Sequence, residues 1–378
     1  MMRSILLTLV GVCLNTVPAL CKDIIVGSCA NSVSSTIQGG IDRAAPGDTV
    51  TVCSGVYSGG ILVNKSRLTL RAGGPKGTVK IAGHGSGPHF GITVVESNVT
   101  VDGFEITGFG GSFDASGILV GGRFVGDTVG HAGGARIINN VIHDNLNGIY
   151  LWQSGDNSVQ HNEVYNSLDL DGGEGNAIVS NCGLSDAQVT AANNAGRCGR
   201  DNDISLNTLH DNDRMAIFVG ATSASVSADV RGTAAQQNEV YRNGADEALG
   251  GAFASSAITV ELASGASIQD NNMHDNPIDG LLVALASGIT VADNKANSNG
   301  EVGVLVLLAQ NVNVHDNQVN RNSLYGMVII SSTGGTVRAN SASKNGALDL
   351  LWDGTGILTF SHNTAASALP SKAAWNGI

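Results

Sequence analysis

The sequence is poor in aromatic residues, proline and basic side chains. Aromatic residues make up 4% of the 378 positions, there are 6 prolines, and 20 Lys and Arg stand against 32 Asp and Glu. A net charge of −12 argues against nucleic acid as a partner and leaves no basic patch for an anionic membrane. It also disfavours a highly anionic polymer as substrate, unless a local cationic side chain or a bound cation offsets the field. The few aromatics and 51 glycines instead suit tight coils around a narrow core.

Long apolar runs are also scarce, and the one near the start has the features of a secretion signal. Arg3 precedes an apolar stretch from Ile5 to Leu14 that is too short to span a bilayer. Cleavage after Ala19 or after Cys21 fits, whereas a lipoprotein role for Cys21 fits less well because the large Leu20 precedes it. We therefore expect residues 1–21 to be a signal peptide, the protein to be secreted (extracellular or periplasmic), and no segment to cross a membrane.

Cysteines are few, and removal of the signal leaves an even number of them. Cys29, Cys53, Cys182 and Cys198 remain. In a secreted chain an even count favours disulfides over a metal site. Proximity in sequence predicts the pairs Cys29–Cys53 and Cys182–Cys198, although sequence alone does not fix the connectivity.

What the sequence does contain is a repeat. An Asn recurs every 23 residues, and a second Asn follows it five positions later, before a short apolar run such as Gly303–Leu308. The runs are bounded by Asn, Gly, Ser and Asp, which indicates strands and tight turns rather than the strand-plus-helix unit of a leucine-rich repeat. At roughly 3.3 Å per residue the repeat makes three short strands and three bends, which is one coil of a parallel β-helix. The first asparagines are Asn271, Asn294, Asn317, Asn340 and Asn363.

We expect these asparagines to be structural. Stacked in successive coils, their amides can bond to one another, and Asn tolerates the left-handed backbone that sharp bends need. The phrase extends backwards to Asn140, Asn162, Asn207 and Asn238. The spacing there is irregular, so the excess over 23 residues marks insertions.

The opening of the mature chain resembles that of a known group of proteins. The stretches that carry the resemblance are 37–50 with its Pro46-Gly47-Asp48, the Gly-Val-Tyr at 55–57, 68–72 and 99–104. They are similar to the opening of secreted right-handed parallel β-helix proteins of the pectate-lyase-like superfamily, which includes alginate lyases and alginate epimerases. The resemblance implies an all-β, right-handed, single-stranded parallel β-helix with a short N-terminal capping helix. It is specific for the fold and weak for activity.

This fold predicts a single domain after the signal. We expect the β-helix to span 22–365, with an N-terminal cap at about 22–60 and a C-terminal tail or cap at 366–378. Long loops on one face of a solenoid commonly build its binding site. The insertions are predicted at 111–136, 169–176, 182–203, 221–236 and 244–256.

Alternation along the strands predicts which side chains point out of the face that these loops flank. Tyr150, Trp152 and Phe218 could stack on sugar rings, or could pack beneath the inserted loops. Asn181 and Glu261 are predicted to contact the substrate from the same face. Later coils place apolar residues there, which predicts cover by the tail with Trp375 or by a second subunit. The outward set is Tyr150, Trp152, Val179, Asn181, Ala216, Phe218, Thr259 and Glu261.

Charged residues cluster at the edge of this face. Asp169, Asp171 and Glu174 could bind Ca²⁺, could supply the acid and base of glycoside cleavage, or could form a solvated turn. No other cofactor is indicated. Arg214 is the best cation to pair with a substrate carboxylate, although an ion pair with Asp211 or Asp213 would also account for it.

The histidines at 143, 210 and 274 share one repeat position with Tyr165 and Tyr241. This position lies on a different ladder from Tyr150 and Trp152, so a structural role is favoured over metal binding or base catalysis.

We hypothesise a polysaccharide-active enzyme, a uronate lyase or C5-epimerase. Arg214, or a cation held by the acidic cluster, would neutralise the substrate carboxylate, and Tyr150 or His210 would exchange protons. A glycoside hydrolase using Asp171, Glu174, Asp213 or Glu261 is the second hypothesis, and a non-catalytic glycan-binding or partner-binding β-helix is the third. The epimerase motifs Asp-Pro-His-Asp and Asp-Pro-His-Glu and the polygalacturonase pattern are absent, so no family catalytic residue transfers to this chain.

Overall fold

A computed structural model describes residues 21–83, 89–111, 115–121, 132–168, 175–182, 199–221, 230–244 and 256–377. Three parallel sheets run along the molecule, and the chain visits them in turn, so every coil adds one strand to each. All strand pairs within the sheets are parallel and join successive coils, for example Asn147–Trp152 to Ile178–Cys182 and that strand to Ile217–Ala221. The protein is therefore a right-handed parallel β-helix, as the 23-residue period and the resemblance predicted.

Sheet A begins before the capping helix and has thirteen strands. Its outer face is polar and its inner residues are buried. The strands are β1 (Asp23–Val26), β2 (Thr49–Val52), β5 (Thr69–Ala72), β8 (Thr100–Asp102), β11 (Arg136–Ile138), β14 (Ser158–Gln160), β17 (Asp203–Ser205), β20 (Ala234–Gln236), β23 (Ser267–Gln269), β26 (Thr290–Ala292), β29 (Gln310–His315), β32 (Thr333–Arg338) and β35 (Thr359–Ser361).

Sheet B comes next in each coil and has twelve strands. From β8 onward, each connection from sheet A to sheet B is two residues long. The strands are β3 (Gly55–Ser58), β6 (Val79–Ala82), β9 (Glu105–Thr107), β12 (Val141–His143), β15 (Glu163–Tyr165), β18 (Thr208–His210), β21 (Glu239–Tyr241), β24 (Asn272–His274), β27 (Lys295–Asn297), β30 (Gln318–Asn320), β33 (Ser341–Ser343) and β36 (Thr364–Ala365).

Sheet C completes each coil and also has twelve strands. Its last strand lies beyond residue 365, so the coil continues into the segment expected to be a tail. The strands are β4 (Ile61–Val63), β7 (Phe90–Val94), β10 (Ser116–Val120), β13 (Asn147–Trp152), β16 (Ile178–Cys182), β19 (Ile217–Ala221), β22 (Ile258–Glu261), β25 (Leu281–Ala284), β28 (Val302–Leu307), β31 (Tyr325–Ile330), β34 (Leu348–Trp352) and β37 (Ala368–Leu369).

The N-terminal end of the core is closed by the predicted helix, α1 (Ile37–Arg43). The Thr36 hydroxyl caps it by accepting from the Gly39 N–H at 3.1 Å. Ile37 and Ile41 are buried against the first coil. Gly40 permits this contact, because a Cβ there would lie 2.4 Å from a methyl carbon of Val26.

The asparagine ladder forms as expected. Asn294 accepts from both the backbone N–H and the side-chain amide of Asn271 at 3.0 Å, and donates in the same way to Asn317. The second ladder repeats the pattern at the turn between sheets B and C, through Asn276, Asn299 and Asn322. In the coil of Asn162 the second position is held by Ser167, whose N–H donates to the Asn212 side chain.

We had expected the ladder asparagines to adopt the left-handed backbone at each bend. In the structure the residue before each of them does so. Asn139, His161 and Leu206 have φ of 58°, 56° and 59°. The ladder asparagines that follow them have their side chains inside the coil. The bend and the hydrogen bond are thus divided between two adjacent residues, because the buried amide is needed for the ladder.

The C-terminal end is closed by the last residues of the chain. A 3₁₀ helix (Ala374–Asn376) places Trp375 inside the core, edge-on to Phe360 at 4.9 Å. Asn376 accepts from the Asn363 N–H and so ends the first ladder. Trp375 therefore closes the core and does not cover the outer apolar strip, which was the role proposed for it. In the described ranges no helix has the length and apolarity needed to cross a membrane.

Candidate functional site

Beyond the N-terminal cap, the longest connections of the coil begin or end at sheet C. Residues 166–177 and 242–257 join sheet B to sheet C, and 121–135, 183–202 and 222–233 join sheet C to sheet A. The connections between sheets A and B in these coils are only two residues long. The segments predicted as insertions therefore start or finish at the edges of one sheet, and the outer surface of sheet C is the candidate site.

The strand register fixes which residues line this surface. Tyr150, Val179, Phe218 and Thr259 are successive partners in one column. Trp152, Asn181, Gly220 and Glu261 form the adjacent column. Seven of the eight outward positions predicted from alternation lie in these columns. Ala216 does not, because it is fully buried in the interior cluster at the start of its strand.

The faces of two of the three aromatic rings on this surface are packed against protein side chains. Tyr150 is 4% exposed and Trp152 is 5% exposed, and their ring centroids lie 5.7 Å apart. They form a small apolar cluster with Leu119 and Val179, separate from the core of the coil. For these two rings the structure favours packing, the alternative to sugar stacking. Phe218 is half-buried at the margin of the cluster.

The Phe218 ring reaches over the adjacent column, and Gly220 makes this possible. A Cβ on Gly220 would lie 2.6 Å from the Phe218 Cζ and 2.6 Å from the Glu261 carbonyl oxygen. Asn181 and Glu261 are the strand partners of Gly220 on its two sides. The open ring is thus set between an amide and a carboxyl group.

Polar atoms on this surface lack protein partners. Within the described ranges, the Asn181 Oδ1 and the Thr259 Oγ1 are buried with no hydrogen bond. Asn181 makes one long contact through its Nδ2, at 3.4 Å from the Tyr150 hydroxyl. Burial raises the pKa of the half-buried Glu261 carboxyl above its ordinary value. Buried polar atoms are normally satisfied, so this group of exceptions points to a ligand.

Arg214 and Asp213 lie at the turn that leads from sheet B into β19. The Arg214 N–H donates to the Gly175 carbonyl at 3.1 Å, and the Asp213 N–H donates to the Ser167 carbonyl at 2.9 Å. Asp211, one of the two partners suggested for Arg214, is bound at both carboxylate oxygens by Arg242 at 2.6 Å. Arg214 is therefore at the N-terminal edge of sheet C.

His210 lies on sheet B, not on the outer face of sheet C. Its ring is sandwiched between Tyr165 and Tyr241, with centroids at 5.1 and 4.9 Å. The stack continues to His143 and His274, as the shared repeat position predicted. Because both ring faces are covered and the sheet is a different one, the proton-exchange role suggested for His210 does not fit.

Two sequence-level candidates fall outside the described residues. The proposed Ca²⁺ ligands Asp169, Asp171 and Glu174 are all in this category, and within the described ranges no group of three His, Cys, Asp or Glu side chains is placed to hold a metal ion. The disulfide between Cys29 and Cys53 is confirmed, with Cα atoms 6.2 Å apart. Cys182 is disulfide-bonded, and Cys198 lies outside the described ranges, so that pair stays a prediction.

The sequence reasoning missed one ionisable group at the edge of sheet C. Asp279 precedes β25 and is 7% exposed. Burial raises its pKa to about 6, although its Oδ1 accepts from the Val302 N–H at 3.0 Å. Its place immediately before Gly280, in a repeat position held by asparagine in earlier coils, was the available signal.

Comparison with known proteins agrees with this fold. The family model for a right-handed β-helix region matches residues 200–365. No curated protein sequence matches the chain significantly. Among solved structures, an alginate lyase from Paenibacillus sp. str. FPU-7 is similar with a TM-score of 0.54 at 18% identity, over 91% of this chain and 99% of that one.

Two further structures have other activities in their names. The periplasmic alginate epimerase AlgG has a TM-score of 0.55 at 12% identity, over 88% of this chain and 83% of its own. The pectate lyase Pel9A has a TM-score of 0.53 at 16% identity, over 94% of this chain and 80% of its own. At these identities the likeness shows the right-handed parallel β-helix fold.

Proposed function

We propose that this protein is a uronate polysaccharide lyase or C5-epimerase that binds its polymer along the outer face of sheet C. One observation carries the proposal: every long connection in the coils of β10, β16, β19 and β22 begins or ends at sheet C, and buried polar atoms without partners lie on its outer face. Structurally similar β-helix proteins named as alginate lyase, alginate epimerase and pectate lyase support the substrate class.

The reaction sets three requirements. The uronate carboxylate must be neutralised, so that the proton at C5 becomes acidic enough for a base to remove it. In a lyase the C4–O4 bond then breaks, a C4–C5 double bond forms and O4 takes up a proton. In an epimerase a proton returns to C5 from the opposite face.

We assign carboxylate neutralisation to Arg214, at the N-terminal edge of sheet C, because guanidinium pairs bidentately with carboxylate. Asp169, Asp171 and Glu174 remain proposed as holders of a Ca²⁺ ion that could share this role. The hydroxyl of Tyr150 is the proposed proton-exchanging group. It is buried, at 3.4 Å from the Asn181 amide, so exchange requires substrate to reach it from the Asn181 side.

The compartment fits the proposal. A disulfide between Cys29 and Cys53 is typical of proteins that fold in an oxidising compartment. We therefore propose an extracellular or periplasmic protein, reached through the signal in residues 1–21.

A screen of polyuronates tests the activity. A lyase creates an unsaturated uronate end that absorbs in the ultraviolet, an epimerase changes the NMR signals of the polymer without new ends, and a hydrolase releases reducing ends without absorbance. Either of the first two results supports the proposal. Reducing ends alone, or no turnover of any polyuronate, overturns it.

Variants test the place of the site. Arg214→Ala should lower kcat/KM by about 100-fold or more, the usual cost of losing a charge-stabilising donor. Arg338→Ala is the matched control, because that side chain is half-exposed on sheet A beside Asp316. Full activity in both Arg214→Ala and Glu261→Ala would show that the reaction takes place on another face.

A glycan-binding module without catalysis is the second candidate. Among the described residues of the two outer columns of sheet C, from β13 to β22, Glu261 has the one carboxyl group. A glycosidase needs two such groups at about 5–9.5 Å, so these columns could bind a glycan without supplying the acid and base that cleave it. Tight retention on a glycan with no turnover would favour this candidate.

A further inference from the structure

The half-buried Phe218 ring keeps part of its surface exposed beside two polar side chains, Asn181 and Glu261. Phe218 lies at the margin of the aromatic cluster and covers Gly220. Asn181 is 7% exposed and its Oδ1 has no partner in the described ranges. Leaving such an atom unpaired costs about 1–3 kcal/mol, which a ligand that donates a hydrogen bond here would offset.

The neighbours offer acceptors rather than donors. The free atom of Asn181 is its carbonyl oxygen, and Glu261 presents a half-buried carboxyl group. The strand partners Asn181, Gly220 and Glu261 place these two groups on opposite sides of the same glycine. A ligand that satisfies both must bring hydrogen-bond donors, and one that lies over Phe218 must present an apolar face.

We propose that Phe218, Asn181 and Glu261 form a subsite for one pyranose ring and read its hydroxyl groups, not its carboxylate. The apolar C–H face of the sugar lies on Phe218, and two hydroxyls donate to the Asn181 carbonyl and the Glu261 carboxylate. This proposal rests on the proposed function and adds to it an orientation of the bound polysaccharide. The carboxylate of the reacting sugar lies toward Arg214, at the opposite edge of sheet C.

Charge supports this assignment. Within the outer columns from β13 to β22, none of the described side chains is cationic, and Glu261 is anionic when ionised. A uronate carboxylate placed here would be repelled by Glu261, at a cost that low solvent exposure increases. A hydroxyl edge, from a neutral sugar or from the far side of a uronate, meets no such penalty.

Binding of three hexasaccharide probes tests the subsite: an oligomannuronate, an oligogalacturonate and a neutral oligomannoside. Phe218→Leu keeps apolar volume but removes the flat ring, so it should weaken binding of each probe that the wild type binds by about 5- to 10-fold, the range of an aromatic contact. Asn181→Leu should do the same through loss of the acceptor. Where the wild type cleaves a probe, KM replaces Kd.

Glu261→Gln decides between the two chemistries. The variant removes the charge and keeps one acceptor oxygen. If Glu261 accepts a hydrogen bond from a sugar hydroxyl, all probes that the wild type binds should bind more weakly, because a charged acceptor makes a stronger hydrogen bond than a neutral one. If Glu261 instead faced a carboxylate, the variant would bind the uronate probes more tightly, and that result overturns the proposal. Unchanged binding in Phe218→Leu, or no wild-type binding of any probe, overturns it as well.

The matched control is Leu305→Ala, an outward, half-buried position three coils beyond Phe218 in the same column. It should leave binding unchanged. Thermal unfolding of each variant shows whether it folds as the wild type does. If binding depends on Phe218 but no probe is turned over, the subsite proposal stands and the lyase or epimerase proposal fails. If Phe218→Leu turns over substrate with an unchanged KM, the enzyme proposal stands and the subsite proposal fails.

Discussion

Asp279 occupies the position in its coil that Asn176 occupies three coils earlier. The strand register carries Asn176 through Met215 and Ser256 to Asp279. Asn176 accepts from the Met215 N–H at 3.3 Å, and Asp279 accepts from the Val302 N–H at 3.0 Å. The two side chains thus make the same bond to the next coil, but the acid must do so as a buried group that can ionise.

Asp279→Asn should stabilise the protein at neutral pH. The amide keeps the acceptor for Val302 and cannot ionise. Since burial raises the pKa of Asp279 from its ordinary value of 3.8 to about 6, the free energy of unfolding should rise by about 3 kcal/mol. Denaturant unfolding of the wild type and the variant measures the difference.

The pH dependence of this effect has a definite sign. A raised carboxyl pKa gives stability that is fully present below the unfolded-state value and is lost as pH rises through the folded-state value of about 6. The gain from Asp279→Asn should therefore be near zero below the ordinary carboxyl pKa of 3.8 and complete above the folded-state pKa. Asp270→Asn, at an exposed bend, should show no such dependence. A gain that is equal at all pH values would contradict this explanation.

His274→Gln should destabilise the protein more in acid than in base. The His274 ring contacts Glu239 at 2.7 Å through Nε2 and Asp275 at 2.8 Å through Nδ1. Despite opposing desolvation, these carboxylates raise the pKa of His274, because only the imidazolium can donate from both nitrogens.

A raised histidine pKa gives stability that is fully present below the unfolded-state value of about 6.5 and is lost as pH rises through the folded-state value. The melting temperature of His274→Gln should fall by about 2–4 °C more on the acid side than on the basic side. His315→Gln is the comparison, because His315 contacts a single carboxylate, Asp316. Equal losses on both sides would show that only the ring packing matters.

Asn294→Ala should be strongly destabilising. It removes the acceptor of the Asn271 backbone N–H, one of the two acceptors of the Asn271 side-chain amide, and the amide donor to the Ile268 carbonyl, all inside the coil. We expect a loss of about 3–4 kcal/mol in the free energy of unfolding, since each unpaired buried group costs about 1–3 kcal/mol. Asn313→Ala, on the exposed face of sheet A, should change it by less than about 0.5 kcal/mol. Similar effects in the two variants would show that the ladder amides are dispensable.

Trp375→Ala should open the C-terminal end of the core. The ring is fully buried and lies 4.9 Å from Phe360. Truncation of a buried large side chain costs about 3–5 kcal/mol. Ile357→Ala, at a position that is 83% exposed, should change stability by less than about 0.5 kcal/mol. A neutral Trp375→Ala in chemical denaturation would mean that the end of the coil closes without this ring.

The regular part of the fold could be predicted because every repeat carries the same residue pattern. The spacing from Asn271 to Asn363 gives the coil length, and the Thr36 cap with Ile37 and Ile41 gives the helix. Alternation then places Tyr150, Phe218 and Glu261 on one outer face, as the register shows. Alternation gave the wrong face for Ala216, because this residue lies at the bend before its strand and its side chain points into the core.

The candidate site was less predictable, since burial there depends on neighbours that are distant in sequence. The sequence left sugar stacking and packing open for Tyr150, Trp152 and Phe218 alike, whereas in the structure Tyr150 and Trp152 pack on Leu119 and Val179 from neighbouring coils. The raised pKa of Asp279 also follows from burial and from Glu301 nearby, and periodicity carries no information about it.

The sequence by itself determined the coil: its length, its three strands and the ladder residues that join one turn to the next. Those features are local or repeat at a fixed interval, so a single chain displays them directly. The tertiary structure alone decided which outer side chains remain accessible, which polar atoms stay unpaired and which carboxyl group has a strongly raised pKa. These properties depend on solvent exclusion by groups from several coils at once, which no spacing along the chain encodes.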